Sequence, residues 1–241
     1  MRVLPILFNI EMVRAILDGR KKCTRRIVKI PNYIKQQDDG LYTLFAEGTC
    51  YENQHFEEIV QYLKKPYQPG DILYVRETWC GLPVNEAGHM RGHTIYYYKA
   101  DGELRPKGWR GTWHPSIHMP KEAARIWLKV TDVRVERLQE IDEYGVWDEG
   151  FKFKPPCLTI VSADGHTCEL DGSCMSSIKY CDMTMGELFG RELWNSTIKK
   201  SELDRYGWDA NPYVFVIEFE RCEKPEGKVS ASGTAGEESR R

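Results

Sequence analysis

The chain has 241 residues, 41% of them hydrophobic and 12% aromatic, which is enough for a sizeable core. Its formal net charge of −2 excludes a bulk polycation, so any contact with nucleic acid must come from a local basic patch. No apolar run approaches the roughly 20 residues that span a bilayer, and the first residues lack the pattern of a signal peptide. We therefore expect a cytoplasmic protein without a membrane partner.

The first third of the chain predicts a strand, a helix and a basic strand in close succession. After the apolar opening residues, Asn9 can cap a helix whose apolar face lies within residues 12–17. The segment Gly19–Arg26 ends this helix and opens a strand over residues 23–30. It holds an ammonium, a hydroxyl and a guanidinium group within eight residues.

Three interpretations of the segment Gly19–Arg26 are open. A lysine close to Thr24 can form a nucleophile–base pair, because a hydroxyl is a poor nucleophile until its proton is removed. The segment can also be an anion-binding site in which Arg26 supplies the planar fork. The third interpretation is an exposed, basic strand edge without chemistry.

The middle of the chain predicts a strand over residues 72–79 that follows the turn Pro69–Asp71. Glu77 falls at the end of an otherwise apolar face of this strand. A carboxylate there lies at the rim of a pocket, is paired with a cation, or reaches water at an edge. Another strand is predicted over residues 94–98.

Residues 105–120 are rich in Gly, Trp and Pro and predict a loop that packs on the core or on a ligand. A tryptophan beside a pocket can stack on a flat heterocycle. The alternative is that the tryptophans of this loop cover the end of a barrel.

The second half of the chain predicts a strand over residues 125–134, a helix over 140–150, a helix over 183–194 and a last strand over 212–219. Glu149 lies in the last turn of the first of these helices, where the helix dipole disfavours a carboxylate. The tail from residue 223 is predicted to be disordered. Short strands with a few helices between them favour a small, mainly β barrel with helices at its edges.

Four of the eight cysteines lie close together in the aperiodic segment 151–182, namely Cys157, Cys168, Cys174 and Cys181. Four thiolates can close a tetrahedral structural zinc site, which would order a segment with little core of its own. The alternative is a set of reduced thiols in a flexible loop. No cofactor for catalysis is expected.

The segments above, taken in order, resemble the ASCH domain of the PUA-like superfamily. The resemblance rests on Gly19-x-Lys21-x-x-Thr24-x-Arg26, Pro69-Gly70-Asp71 with its strand, the helix that ends in Asp148-Glu149-Gly150, and the strand from Tyr213 to Phe219. The variety resembles proteins encoded by phages and prophages. It implies an α+β, mainly β, PUA-like barrel with peripheral helices over residues 1–222, with a cysteine-containing insertion at 151–182 and a tail from 223.

The resemblance also implies an activity, the amidohydrolysis of an acylated nucleoside or nucleobase such as N4-acetylcytidine. The catalytic set that it implies is Lys21, Thr24 and Glu149. The expected substrate-binding residues are Arg26, Arg76, Glu77, Trp79, Trp113 and His118. Within the basic segment, Lys22 and Arg25 are expected to be solvated.

The competing prediction is a module that binds RNA or a modified base. Trp79 or Trp113 would then stack on a base of a single-stranded nucleic acid, and Arg26 and Arg76 would contact phosphate. A ribonuclease would use the same cleft, because lysine and arginine can stabilise a pentacoordinate phosphate.

Overall fold

The computed structural model describes residues 1–31, 33–46, 48–84, 93–102, 111–152, 160–161, 167–168 and 184–225. They form an α+β fold in which strands predominate. The strands are β1 (Val3–Leu7), β2 (Cys23–Ile27), β3 (Ile34–Gln36), β4 (Tyr42–Ala46), β5 (Thr49–Gln54), β6 (Ile72–Arg76), β7 (Trp79–Val84), β8 (His93–Tyr98), β9 (Trp127–Arg137), β10 (Ile160–Val161), β11 (Thr167–Cys168) and β12 (Tyr213–Cys222).

The helices are α1 (Ile10–Leu17), α2 (Phe56–Ile59), α3 (Glu143–Asp148), α4 (Met185–Leu188), α5 (Asn195–Thr197) and α6 (Leu203–Tyr206). A π-helical turn over Phe189–Trp194 joins α4 to α5. Single 3₁₀ turns cover Val60–Tyr62, Lys99–Asp101, Ser116–His118, Lys121–Ala123, Leu138–Glu140 and Lys200–Glu202.

The centre of the fold is a mixed five-stranded sheet with the strand order β1-β6-β9-β12-β2. Strands β1 and β6 are parallel, and the other neighbouring pairs are antiparallel. Strand β12 pairs with β2 from Val214 opposite Ile27 to Glu218 opposite Cys23. The C-terminal strand therefore sets the register of β2, which carries Thr24.

Both faces of this sheet are covered, because alternate apolar residues of β12 enter different cores. Phe215 and Ile217 lie in a large core shared with α1 and the small sheet β3-β4-β5. Val214 and Val216 lie in a second core that includes Trp194 after α4. The edge strand β2 also has buried side chains on both faces, with Cys23 and Arg25 on one face and Thr24 on the other.

A closed barrel, expected from the sequence, is not found in the described residues, since no ladder joins the two edge strands β1 and β2. Pro5 in β1 has no N–H with which to extend a ladder, as is usual for proline at a sheet edge. The sheet nevertheless curls enough to bring its two edge strands close to each other. Arg26 Nη2 on β2 donates to Leu7 O on β1 at 2.9 Å. A side chain thus bridges the gap that backbone hydrogen bonds would close in a barrel.

The helix predicted after Asn9 is confirmed, with Asn9 Oδ1 accepting the Met12 N–H at 2.9 Å. The predicted helix over 140–150 is shorter, because Asp142 caps α3 by accepting the Gly145 N–H. The predicted strand over 72–79 is divided into β6 and β7 by a break at residues 77–78.

Other predictions concern residues outside the described part of the chain. These are the four-cysteine zinc site, of which Cys157, Cys174 and Cys181 are not described, most of the insertion 151–182, and all but the first three residues of the tail predicted from residue 223. Of the four cysteines, Cys168 alone is described, as the end of β11. None of the described helices is long and apolar enough to cross a membrane.

Two glycines with positive φ test how tightly the Lys21 segment packs. A Cβ built on Gly150, at φ 76°, would lie 2.6 Å from Ala15 Cβ and 2.9 Å from Lys21 Cβ. Gly19 has a similar φ of 74° and nothing within 4 Å of such an atom. We expect Gly19→Ala to cost about 1 kcal/mol for the left-handed backbone alone. Gly150→Ala should cost about 2 to 4 kcal/mol, because overpacking is added to the same backbone cost.

The measurement is the urea midpoint of each variant at an unchanged m-value. Equal losses of stability in the two variants would show that the contact of Gly150 with Lys21 and Ala15 is not tight.

Candidate functional site

The backbone pins the start of β2 to the end of α3. The N–H groups of Arg20 and Lys21 both donate to Ala15 O, which lies in the last turn of α1. Lys21 then forms an isolated antiparallel bridge with Glu149, and the Lys22 N–H donates to Asp148 O at 2.7 Å. Residues that are 128 positions apart in the chain are thereby held side by side.

Lys21 and Glu149 form a buried ion pair. Lys21 Nζ lies 2.5 Å from Glu149 Oε2 and also donates to Glu149 O at 3.0 Å. The lysine side chain is 0% exposed and the glutamate side chain 4%. Because burial strips both charges of water, such a pair is stable only when its geometry is good and its remaining polar atoms are satisfied.

Arg25 is also buried, so the expectation that it is solvated is wrong. Its backbone N–H donates to Glu149 Oε1 at 2.7 Å, and its guanidinium Nη1 lies 3.4 Å from the same oxygen. Arg25 and Cys23 are two residues apart in β2, so their side chains lie on the same face of the strand. Cys23 is part of the second core, so this face is buried. Lys22, in contrast, has a 68% exposed side chain, as predicted.

Thr24 is 1% exposed and precedes in the chain the Arg25 N–H that Glu149 Oε1 accepts. On β2, Thr24 shares a face with Arg26. The structure thus brings Lys21 and Glu149 into contact and holds the Glu149 carboxylate at the peptide that joins Thr24 to Arg25.

Phe8 was not identified from the sequence and lies at the centre of this site. Lys21 Nζ is 5.6 Å and the Arg26 guanidinium carbon 5.5 Å from the centroid of its ring. The aromatic ring stabilises both cations through its electron-rich face. In the sequence Phe8 is one more apolar residue of the first strand, and no local pattern marks it.

Arg26 is half-buried between Phe8 and the end of β1. Burial lowers the pKa of its guanidinium, and the negative charge of Glu149 acts in the opposite direction. The Arg26 guanidinium, which one interpretation of the sequence assigned to anion binding, therefore lies close to the ion pair, and its Nη2 donates to Leu7 O.

Glu77 lies in a second buried ion pair, so the cation-paired alternative is confirmed. Its two oxygens accept Arg125 Nε at 2.9 Å and Nη2 at 3.0 Å, a bidentate arrangement. Burial raises the pKa of Glu77, and the hydrogen bonds from Arg125 oppose that rise. The Phe8 N–H donates to Arg76 O at 3.2 Å, so Phe8 links the end of β6, next to Glu77, to the Lys21 site.

The remaining expected substrate-binding residues lie along the loop at residues 111–120. Arg76 donates to Met119 O at 2.9 Å and also to Ile117 O, and so holds this loop against β6. Trp79 exchanges backbone hydrogen bonds with His114, and the two rings lie 5.1 Å apart. Trp113 is half-buried and His118 is exposed. Arg76 and Trp79 thus attach this loop to β6 and β7.

In the described part of the chain, His, Cys, Asp and Glu side chains form no group of three or more that could hold a metal ion. The polar groups at the Lys21 site bind one another, and they include two cations and a carboxylate. The chemistry that this arrangement offers is proton transfer and hydrogen bonding beside a threonine hydroxyl.

No protein-family model, curated protein or solved structure matches this chain. The assignment of a function therefore rests on the geometry of the residues and on the motif that they form.

Cys23 provides a test of how closed the site is. Burial raises the pKa of its thiol to about 12, with the charge of Glu149 adding to the rise and those of Arg25 and Lys21 opposing it. At pH 8 about one such thiol in ten thousand is ionised, and only the thiolate reacts with an alkylating agent. We expect iodoacetamide to leave Cys23 unmodified in the native protein while it modifies Cys50, which is exposed.

Peptide mass mapping after timed alkylation measures both sites in one sample. Unfolding in urea before alkylation is the control and should make Cys23 as reactive as Cys50. Native modification of Cys23 at a rate close to that of Cys50 would show that the site opens readily to solvent.

Proposed function

We propose that this chain is an amidohydrolase that removes an acyl group from the exocyclic amine of a nucleoside or nucleobase, with N4-acetylcytidine as the model substrate. Its catalytic residues would be Lys21, Thr24 and Glu149. The observation that carries the proposal is the 2.5 Å contact between Lys21 Nζ and Glu149 Oε2 beside the Thr24 peptide. A nucleophile, a base and a group that orients the base are the parts that acyl transfer requires.

We further propose that the fold is of the PUA-like ASCH type. The curled five-stranded sheet supports this assignment, because its edge strands β1 and β2 are close enough for Arg26 to bridge them. The motif residues Gly19, Lys21, Thr24 and Arg26 lie at this closing edge. In this proposal, the inserted small sheets are additions around the barrel.

The proposed reaction begins with the Lys21–Glu149 pair. Transfer of one proton from Nζ to Oε2 leaves a neutral amine, which can accept the proton of Thr24 Oγ. The Thr24 oxygen then forms a bond to the acyl carbon. As the C–N bond breaks, Lys21 returns the proton to the leaving amine, and an acyl-threonine remains. Water attacks this ester, and the products are a carboxylic acid and free Thr24.

The expected substrate-binding residues have separate roles in this proposal. Arg26 stabilises the negative oxygen of the tetrahedral intermediate. Trp79, Trp113 and His118 form an aromatic wall that stacks on the base. Arg76, which donates to Met119 O, and Glu77, whose N–H donates to Met119 Sδ, hold the loop of this wall in place.

A second candidate is a binding module for a modified base or single-stranded RNA, or a ribonuclease that uses the same cleft. One observation favours binding: Thr24 is 1% exposed and the two charges beside it already satisfy each other. A site that only binds needs no accessible nucleophile. Incubation of the protein with end-labelled RNA separates a ribonuclease, which shortens the RNA, from a binding module, which retains it intact.

The test of the amidohydrolase is Thr24→Ala beside the matched control Thr24→Ser. Removal of the hydroxyl should lower turnover of N4-acetylcytidine by at least about 1000-fold, because the proposed acyl intermediate forms on that hydroxyl. Thr24→Ser keeps the hydroxyl and should retain measurable turnover. Release of free cytidine, followed by chromatography, is the measurement, and the thermal midpoint shows that both variants fold.

Wild-type turnover by Thr24→Ala would contradict the role of Thr24. Absence of turnover in the wild type, for N4-acetylcytidine and for other N-acylated nucleosides, would favour the binding module. In that case a fluorescence titration with single-stranded RNA at two salt concentrations should show binding that weakens with salt.

A further inference from the structure

The two oxygens of the Glu149 carboxylate are divided between two cationic residues. Oε2 accepts Lys21 Nζ at 2.5 Å. Oε1 accepts the Arg25 N–H at 2.7 Å and lies 3.4 Å from Arg25 Nη1. The rotation of the carboxylate, and therefore the direction of Oε2 toward the lysine, is set from the side of Arg25.

The Arg25 guanidinium is itself held from outside the site. Its Nη2 lies 3.5 Å from Glu136 Oε2, and its Nη1 lies 3.5 Å from Gly145 O. A Cβ at position 145 would stand 2.9 Å from Nη2, so the absence of a side chain on Gly145 makes room for the guanidinium against α3. The packing is therefore matched to an arginine at position 25.

Burial of the Arg25 guanidinium costs free energy unless its charge forms compensating contacts. The Arg25 side chain is 3% exposed, and its Nε is buried without a hydrogen-bond partner in the described residues. An unsatisfied buried donor destabilises the folded chain, and an apolar residue would avoid that cost. The contacts that offset this cost are those with Glu149 and Glu136, so the guanidinium is retained for its charge and its geometry.

We propose that Arg25 is a positioning residue that holds the Glu149 carboxylate against Lys21, with Glu136 as its outer anchor. This inference rests on the proposed function, since Glu149 matters for chemistry only if Lys21 acts on Thr24. Arg25 contacts the Glu149 carboxylate and acts through it.

The experiment compares Arg25→Met, which removes the charge at similar volume, with Arg25→Lys, which keeps the charge. Glu136→Gln, at a partly exposed position, is the milder variant that tests the anchor if Arg25→Met fails to fold. Lys22→Met is the matched control, because Lys22 is the exposed neighbour in the same segment.

The first readout is the kcat and KM of N4-acetylcytidine cleavage. Misplacement of the carboxylate in Arg25→Met should lower kcat by about 100-fold with KM within about threefold of wild type. Arg25→Lys should recover at least about tenfold, and Glu136→Gln should lose about threefold.

The second readout does not depend on activity. N-acetoxysuccinimide acetylates free lysine amines, and mass mapping should show Lys21 protected in the wild type and at least about tenfold more reactive in Arg25→Met. Lys22, which is exposed, should react equally in both proteins. Protection of the buried Cys80 from alkylation shows that the fold is intact.

An unchanged kcat together with continued protection of Lys21 in Arg25→Met would overturn the proposal. Equal loss of kcat in Arg25→Met and Arg25→Lys, with Lys21 still protected, would also overturn it and indicate a structural role alone. If the wild type has no turnover, the amidohydrolase fails, while exposure of Lys21 in Arg25→Met still supports the hold of Arg25 on Glu149.

Discussion

The buried contact between Lys21 and Glu149 is the interaction on which the rest of this site depends. Both charges are removed from water, so the loss of one partner would leave the other unpaired at a cost of about 3 to 5 kcal/mol. Backbone hydrogen bonds hold the pair in place. Ala15 O accepts the N–H group of Lys21, and Asp148 O accepts that of Lys22. The tight packing of Gly150 on Lys21 serves the same end, since it fixes the point where α3 meets β2.

A second ion pair, Glu77 with Arg125, follows Arg76 in the chain. The two pairs have different aromatic neighbours, because Lys21 lies over Phe8 and Arg125 lies over Tyr98. Phe8 contributes its ring to Lys21 and Arg26 and its N–H to Arg76 O. The residue that follows β1 thereby connects the Lys21 site to the end of β6, from which Arg76 reaches the loop at residues 111–120.

Much of this framework could be predicted from local patterns. The capping of α1 by Asn9 and the long strand β12 follow from short-range rules of capping and periodicity. The spacing of Lys21 from Thr24 places both at the start of β2. The break in the predicted strand at Glu77 and the burial of Arg25 could not be predicted. Each residue has its partner far away in the chain: Glu77 pairs with Arg125, and Arg25 binds Glu149.

The sequence by itself determined the elements on which the proposed catalytic residues lie: Lys21 and Thr24 at a helix–strand junction, and Glu149 where a later helix stops. Tertiary structure alone decided that Lys21 meets Glu149, and that Arg25 joins this pair while Lys22 stays in water. The physical reason is that β2 is buried on both faces. Period-two alternation separates its side chains into two sets, but only the packing of α3 on one face and of Phe8 on the other shows that neither set is solvated.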